Sequence, residues 1–111
     1  MTLVTIVLNE TDWLENLLFA FSENGIKGAT ILDSTGMART LISDNELGFM
    51  SSLRNVLDPD RETSKTVFVL VKEDKVKTIS KILNEVTGGL DKPDSGIMFC
   101  MPVSYTEGIL F

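Results

Sequence analysis

The chain reads as an α+β domain with strands and helices in the order β-α-β-β-α-β. Three observations predict it. Two segments repeat their apolar residues at helical spacing, and each lies between two strand-like runs. Four runs are short and rich in Val, Ile, Phe and Thr, as strands are. Two of those runs, Lys65-Thr-Val-Phe-Val-Leu-Val71 and Gly96-Ile-Met-Phe-Cys-Met-Pro-Val103, are apolar at successive positions. Side chains alternate between the two faces of a strand, so these two need cover on both faces of their sheet.

The first strand is expected over Thr2–Leu8. Asn9 to Asp12 offers helix-capping side chains, and Asp12 and Glu15 suit a helix N-terminus. Trp13, Leu14, Leu17, Leu18 and Phe21 then form one apolar stripe of an amphipathic helix, with Trp13 as a core anchor. Gly25 is placed to end that helix in the left-handed conformation. Ala29–Ser34 reads as the second strand and Lys65–Lys72 as the third. Glu73-Asp74 opens a second helix, whose stripe is Val76, Ile79, Ile82, Leu83 and Val86 and whose stop is Gly88-Gly89. Gly96–Val103 is the fourth strand.

This order is a split βαβ repeated twice, the ferredoxin-like arrangement. It predicts a single domain over 1–111: a four-stranded antiparallel sheet with both helices on one face. The opposite face is then open, and the apolar surplus of the third and fourth strands has to go there. A second copy of the chain is the simplest cover.

Residues 35–64 are too many for a hairpin turn, and connections of this length are commonly functional. Ser43 and Glu46 have capping-box spacing, and Leu47, Met50, Leu53 and Leu57 recur at helical spacing. A short helix is expected near 44–57, weakened by Gly48, with a tether over 58–63.

Composition narrows the chemistry. The chain has 111 residues and no histidine, which removes Ser-His and Cys-His catalysis and His-containing zinc sites. No nucleophile–base pair can be nominated, so no catalytic residue is assigned and the protein is read as a non-enzyme. A net charge of −6, with ten Lys and Arg scattered among sixteen acids, argues against a nucleic-acid partner. The apolar runs are far shorter than a membrane span, so no direct membrane insertion is expected. The N-terminus has no basic region before its apolar run and does not read as a signal peptide. The single cysteine, Cys100, permits no internal disulfide and suits a cytoplasmic protein. It lies in the apolar fourth strand and is expected to be a packed core residue. Asp33, Asp91 and Asp94 read as solvated loop acids rather than metal ligands.

Two stretches carry a family likeness. The first is Gly25-Ile-Lys-Gly-Ala-Thr-Ile31 followed by Gly36-Met-Ala-Arg39. The second is Gly88-Gly89, then Ser95-Gly96-Ile-Met-Phe99 and Pro102-Val103. In register with the strand order and the long central connection, the chain resembles the PII nitrogen-regulatory signalling proteins. The likeness covers nearly the whole chain except the middle of the central connection, the family's T-loop. It implies a non-enzymatic homotrimer with ligand clefts between subunits, sensing an adenine nucleotide or 2-oxoglutarate. It also implies that residues 35–64 contact a target protein or membrane transporter. Position by position, Gly28, Thr30, Gly36 and Arg39 fall where the family lines its nucleotide site. Gly88, Gly89 and Gly96 fall at its phosphate-cradling B-loop, where the absence of a side chain lets backbone N–H groups approach phosphate oxygens.

The departures from the family pattern concern charge. Ile97 stands where the B-loop lysine is expected, Phe68 where the third strand carries an acid, and 104–111 has no arginine pair. Each charge-assisted hydrogen bond contributes about 1.5–3 kcal/mol. Three missing cations therefore remove on the order of 4–9 kcal/mol, about three decades of affinity or more. Tight ATP binding is not expected, and three readings of the glycines stay open: plain turns, a cradle for an adenine nucleotide of low charge such as a nucleoside monophosphate or cyclic nucleotide, or a site for a carboxylate metabolite. The central connection has no tyrosine, so uridylylation of the usual kind is excluded. Two other classes share the strand order: an ACT-type amino-acid-binding module, which pairs sheets edge to edge as a dimer, and a CutA-type cation-tolerance trimer.

Overall fold

The computed structural model describes residues 1–44 and 63–109, with residues 42–44 in backbone alone. It has the expected class and order. Strands β1 (Thr2–Leu8), β2 (Thr30–Ser34), β3 (Ser64–Val71) and β4 (Gly96–Pro102) form one antiparallel sheet in the order β2-β3-β1-β4. Helix α1 spans Leu14–Glu23, α2 Met37–Asp44 and α3 Val76–Thr87. Each of α1 and α3 is entered through a 3-10 turn, Thr11–Trp13 and Glu73–Lys75.

The register sorts the side chains into two faces. Val4, Ile6 and Leu8 of β1 share one face with Val67, Val69 and Val71 of β3 and with Met98 of β4. Leu17 and Phe21 of α1 and Ile79, Ile82 and Leu83 of α3 close over them, and all except the partly buried Met98 are buried. Burying an aliphatic side chain of this size contributes about 1.5–3 kcal/mol, so this layer holds the fold. Trp13 is partly buried and packs against the same cluster, as its position in the helical stripe predicts.

Helix ends behave as the glycines foretell. Gly25 has φ 78°, and the amide of Ile26 donates to the carbonyl of Phe21 at 2.9 Å, a Schellman-type closure of α1. Gly88 has φ 80° and ends α3 in the same left-handed conformation. The expected side-chain caps from Asn9 to Asp12 do not form at the start of α1. The 3-10 turn takes their place, with the Trp13 amide donating to the Glu10 carbonyl at 3.3 Å.

Three expectations need correction or restriction. Cys100 is exposed, not a packed core residue in the single chain. It faces the helical side, opposite Val4, but β4 is an edge strand and only one neighbour flanks it. Within the central connection, a helix already begins at Met37, where none was expected. It starts as the amide and hydroxyl of Thr40 both donate to the Gly36 carbonyl, at 3.0 and 2.9 Å. The helix expected over 44–57 and the tether over 58–63 fall almost wholly outside the described residues.

The second face of the sheet carries Leu3, Thr5 and Val7 of β1, Thr66, Phe68 and Leu70 of β3, Ile97, Phe99 and Met101 of β4, and Leu32 of β2. No described helix covers it. Leu32, Ile97, Phe99 and Met101 are 46–56% exposed. Thr5 is buried at its centre, between Phe68 and Phe99, and its hydroxyl has no hydrogen-bond partner.

Candidate functional site

The candidate residues divide between the two ends of β2. At its C-terminal end lie Gly36 and Arg39, with the glycine-rich segment 88–96 alongside. At its N-terminal end lie Gly28 and Thr30. In one protomer the seven positions therefore make two half-sites, a β2 length apart.

At the first end, Arg39 on α2 reaches the loop before β4. Its Nη2 donates to both carboxylate oxygens of Asp94, at 2.6 and 2.5 Å. The two side chains are 9% and 5% exposed, so the pair lies out of water, where charge-assisted bonds are strong and unpaired charge is costly. This corrects one expectation: Asp94 is the buried partner of Arg39 rather than a solvated loop acid. Asp94 also holds φ 59°, a left-handed conformation that few non-glycine residues adopt.

The rest of the loop is held by its own groups. The Ser95 hydroxyl donates to the Lys92 carbonyl at 2.9 Å, and the Asn9 amide donates to the Ser95 carbonyl at 3.2 Å. Gly96 has no room for a side chain, since a Cβ there would run into the Val7 carbonyl. At Gly89 a Cβ would meet only the end of the Asp91 side chain, and both glycines have positive φ. For Gly96 this close approach to β1 is a complete structural reason for glycine, without any ligand. Ile97, at the position of the missing cation, is 56% exposed.

At the second end a cleft of about 940 Å³ opens beside Gly28 and Thr30. Its floor includes Leu3, Phe68 and Leu70, all residues of the uncovered sheet face, so the cleft is continuous with that face. Around it stand Lys27, Lys72 and Lys75 against one carboxylate, Asp74. A protein of net charge −6 thus has a cleft with an excess of cations, and such a cleft draws anions. Lys75 also donates to the Asn24 carbonyl at the end of α1, at 3.5 Å. Gly108 and Ile109 close the cleft from the C-terminal segment.

Lys72 and Lys75 were not among the residues singled out from the sequence. They flank the Glu73-Asp74 helix start, and only the fold brings them beside Lys27 and the strand residues. Elsewhere Asp33 pairs with Lys65 across β2 and β3. Tyr105 is 72% exposed, and the hydrogen bond it donates to Glu107 raises its phenol above the ordinary range, with desolvation adding to the effect. No group of three or more His, Cys, Asp or Glu side chains is placed to hold a metal ion among the described residues. No helix among them is long and apolar enough to cross a membrane.

No protein-family model matches this chain, and no curated protein matches it in sequence.

Proposed function

We propose that the chain is a PII-like regulatory protein without catalytic activity, working in the cytoplasm as a homotrimer. Its three open sheet faces pack around the common axis, and ligand clefts form between neighbouring protomers. One observation carries the reading: an apolar sheet face that no described helix covers runs directly into a cation-rimmed cleft that holds only two of the seven candidate positions. A neighbour contributes the other five, placing its Gly36, Arg39 and 88–96 segment opposite Gly28, Thr30 and the lysines.

The energetics favour assembly. Covering Leu32, Ile97, Phe99 and Met101, each about half exposed, contributes on the order of 1 kcal/mol per side chain in each protomer. The ligand is a small anion with an apolar or aromatic body, for which an adenine nucleotide of low charge is the model. Phe68 and Leu70 receive the flat part, and Lys27, Lys72 and Lys75 receive the acidic group. Because Gly36 and Arg39 begin the central connection, ligand at this seam changes how residues 35–64 present themselves to a target protein or membrane transporter.

Calorimetry against AMP, ADP, ATP, cyclic AMP and 2-oxoglutarate, alongside light scattering, tests this. The expected result is a trimer that releases or absorbs heat with at least one of these ligands, AMP binding no more weakly than ATP. A protein with no heat and no melting shift with any of them is not a sensor of this class.

A further inference from the structure

We infer that Asp94 is an internal anion seated against Arg39, and that it sets the charge of the ligand this protein accepts. The inference rests on the proposed small-anion site and concerns its charge selectivity.

The glycine-rich segment from Gly88 to Gly96 has the make-up of a phosphate cradle, with Gly88, Gly89 and Gly96 all at positive φ. A cradle of that kind works when backbone N–H groups and a nearby cation face an anion. Lys92 lies within the segment, its Nζ beside Gly88, while Arg39, the cation that reaches the segment from α2, already binds an anion that the chain supplies. Both Asp94 oxygens accept from it, and the pair is almost wholly out of water. The backbone at Asp94 makes the carboxylate notable. With φ 59° the position favours glycine, asparagine or aspartate, and the first two would hold the same turn without a charge. The backbone turn alone therefore does not call for an aspartate; the carboxylate is there for Arg39. Next to it Ile97 is exposed and offers no cation.

Asp94 has two consequences for an incoming ligand. It occupies the guanidinium that a terminal phosphate would use, and it places a negative charge where that phosphate would lie. Cations remain at the other half-site, around Lys27, Lys72 and Lys75. A ligand with one acidic group meets lysines there and leaves Asp94 undisturbed. A polyphosphate must displace or face Asp94. Asp94 is thus a specificity-determining residue, which excludes polyphosphates and admits ligands of low charge.

The test uses Asp94→Gly, which suits the left-handed backbone, and Asp94→Asn as a second variant should the first not fold by circular dichroism. Wild type and variants are titrated with AMP, ATP and inorganic tripolyphosphate by calorimetry, with melting temperatures recorded in parallel. The expected result is that the ATP-to-AMP affinity ratio rises at least about tenfold in the folded variant, as one charge-assisted contact becomes available. Tripolyphosphate should also raise the melting temperature of the variant and not that of wild type, and Arg39→Gln in the Asp94→Gly background should abolish both gains. A folded variant with the wild-type ATP-to-AMP ratio and no response to tripolyphosphate overturns the inference. So does a gain that survives Arg39→Gln, which would reduce it to a change in net charge. Absence of AMP binding to wild type would count against the proposed function instead, since the tripolyphosphate comparison reads Asp94 without any nucleotide.

Discussion

On one face of the sheet Val4, Ile6 and Leu8 are sealed beneath α1 and α3, fully removed from solvent. On the other, Leu32, Ile97, Phe99 and Met101 stand about half exposed beside Phe68 and Leu70. The two faces are drawn from the same kinds of residue, and β3 alternates Val67, Val69 and Val71 inward with Phe68 and Leu70 outward. Apolarity alone therefore does not decide what is core in this protomer. The decision lies with the helices, and among the described residues both long helices lie on one side. A greasy face that no described helix covers is where an interaction surface is expected. Here it also floors the lysine-rimmed cleft, so in the proposed trimer assembly and ligand binding are coupled.

The contrast can be tested residue by residue. Leu83→Ala, on the covered side, removes a fully buried side chain and should cost about 2–5 kcal/mol in urea unfolding. Phe99→Glu, on the open side, removes a half-buried ring and should cost the isolated protomer less than Leu83→Ala, about 1–2 kcal/mol. It should nevertheless abolish the assembly in sedimentation, because three carboxylates would be buried around one axis. The double change Lys72→Gln and Lys75→Gln should leave the assembly intact and weaken AMP binding by about tenfold, read by calorimetry. Thr5→Val should be the mildest. It removes a buried hydroxyl without a partner and should raise the unfolding free energy by about 1 kcal/mol.

Most of the fold was legible in the sequence. Strand and helix periods are local properties, and the left-handed glycines at 25 and 88 mark helix ends by backbone sterics alone. The apolar character of Phe68, Leu70, Ile97 and Phe99 at successive strand positions foretold the uncovered face. The side-chain cap expected for α1 does not form, because a 3-10 turn satisfies backbone donors there and has no side-chain signature by which the sequence announces it. Cys100 was misjudged because burial depends on whether a strand is central or at an edge, which sequence order alone does not reveal.

The site was less legible than the fold. Gly28, Thr30 and Arg39 were reached through family likeness, but their division between the two ends of β2 is a matter of topology. The Arg39–Asp94 pair joins residues 55 positions apart, and nothing in either local sequence marks the partner. The lysine cluster likewise comes from two separate stretches that only the folded sheet brings together.

The account stands on the proposal that the open face is hidden by two further copies of the chain. Light scattering on wild type and Phe99→Glu at micromolar concentration measures this directly. The account predicts three times the 12.3 kDa chain mass for wild type and a single chain mass for the variant. A wild-type protein that travels as one chain of 12.3 kDa contradicts it.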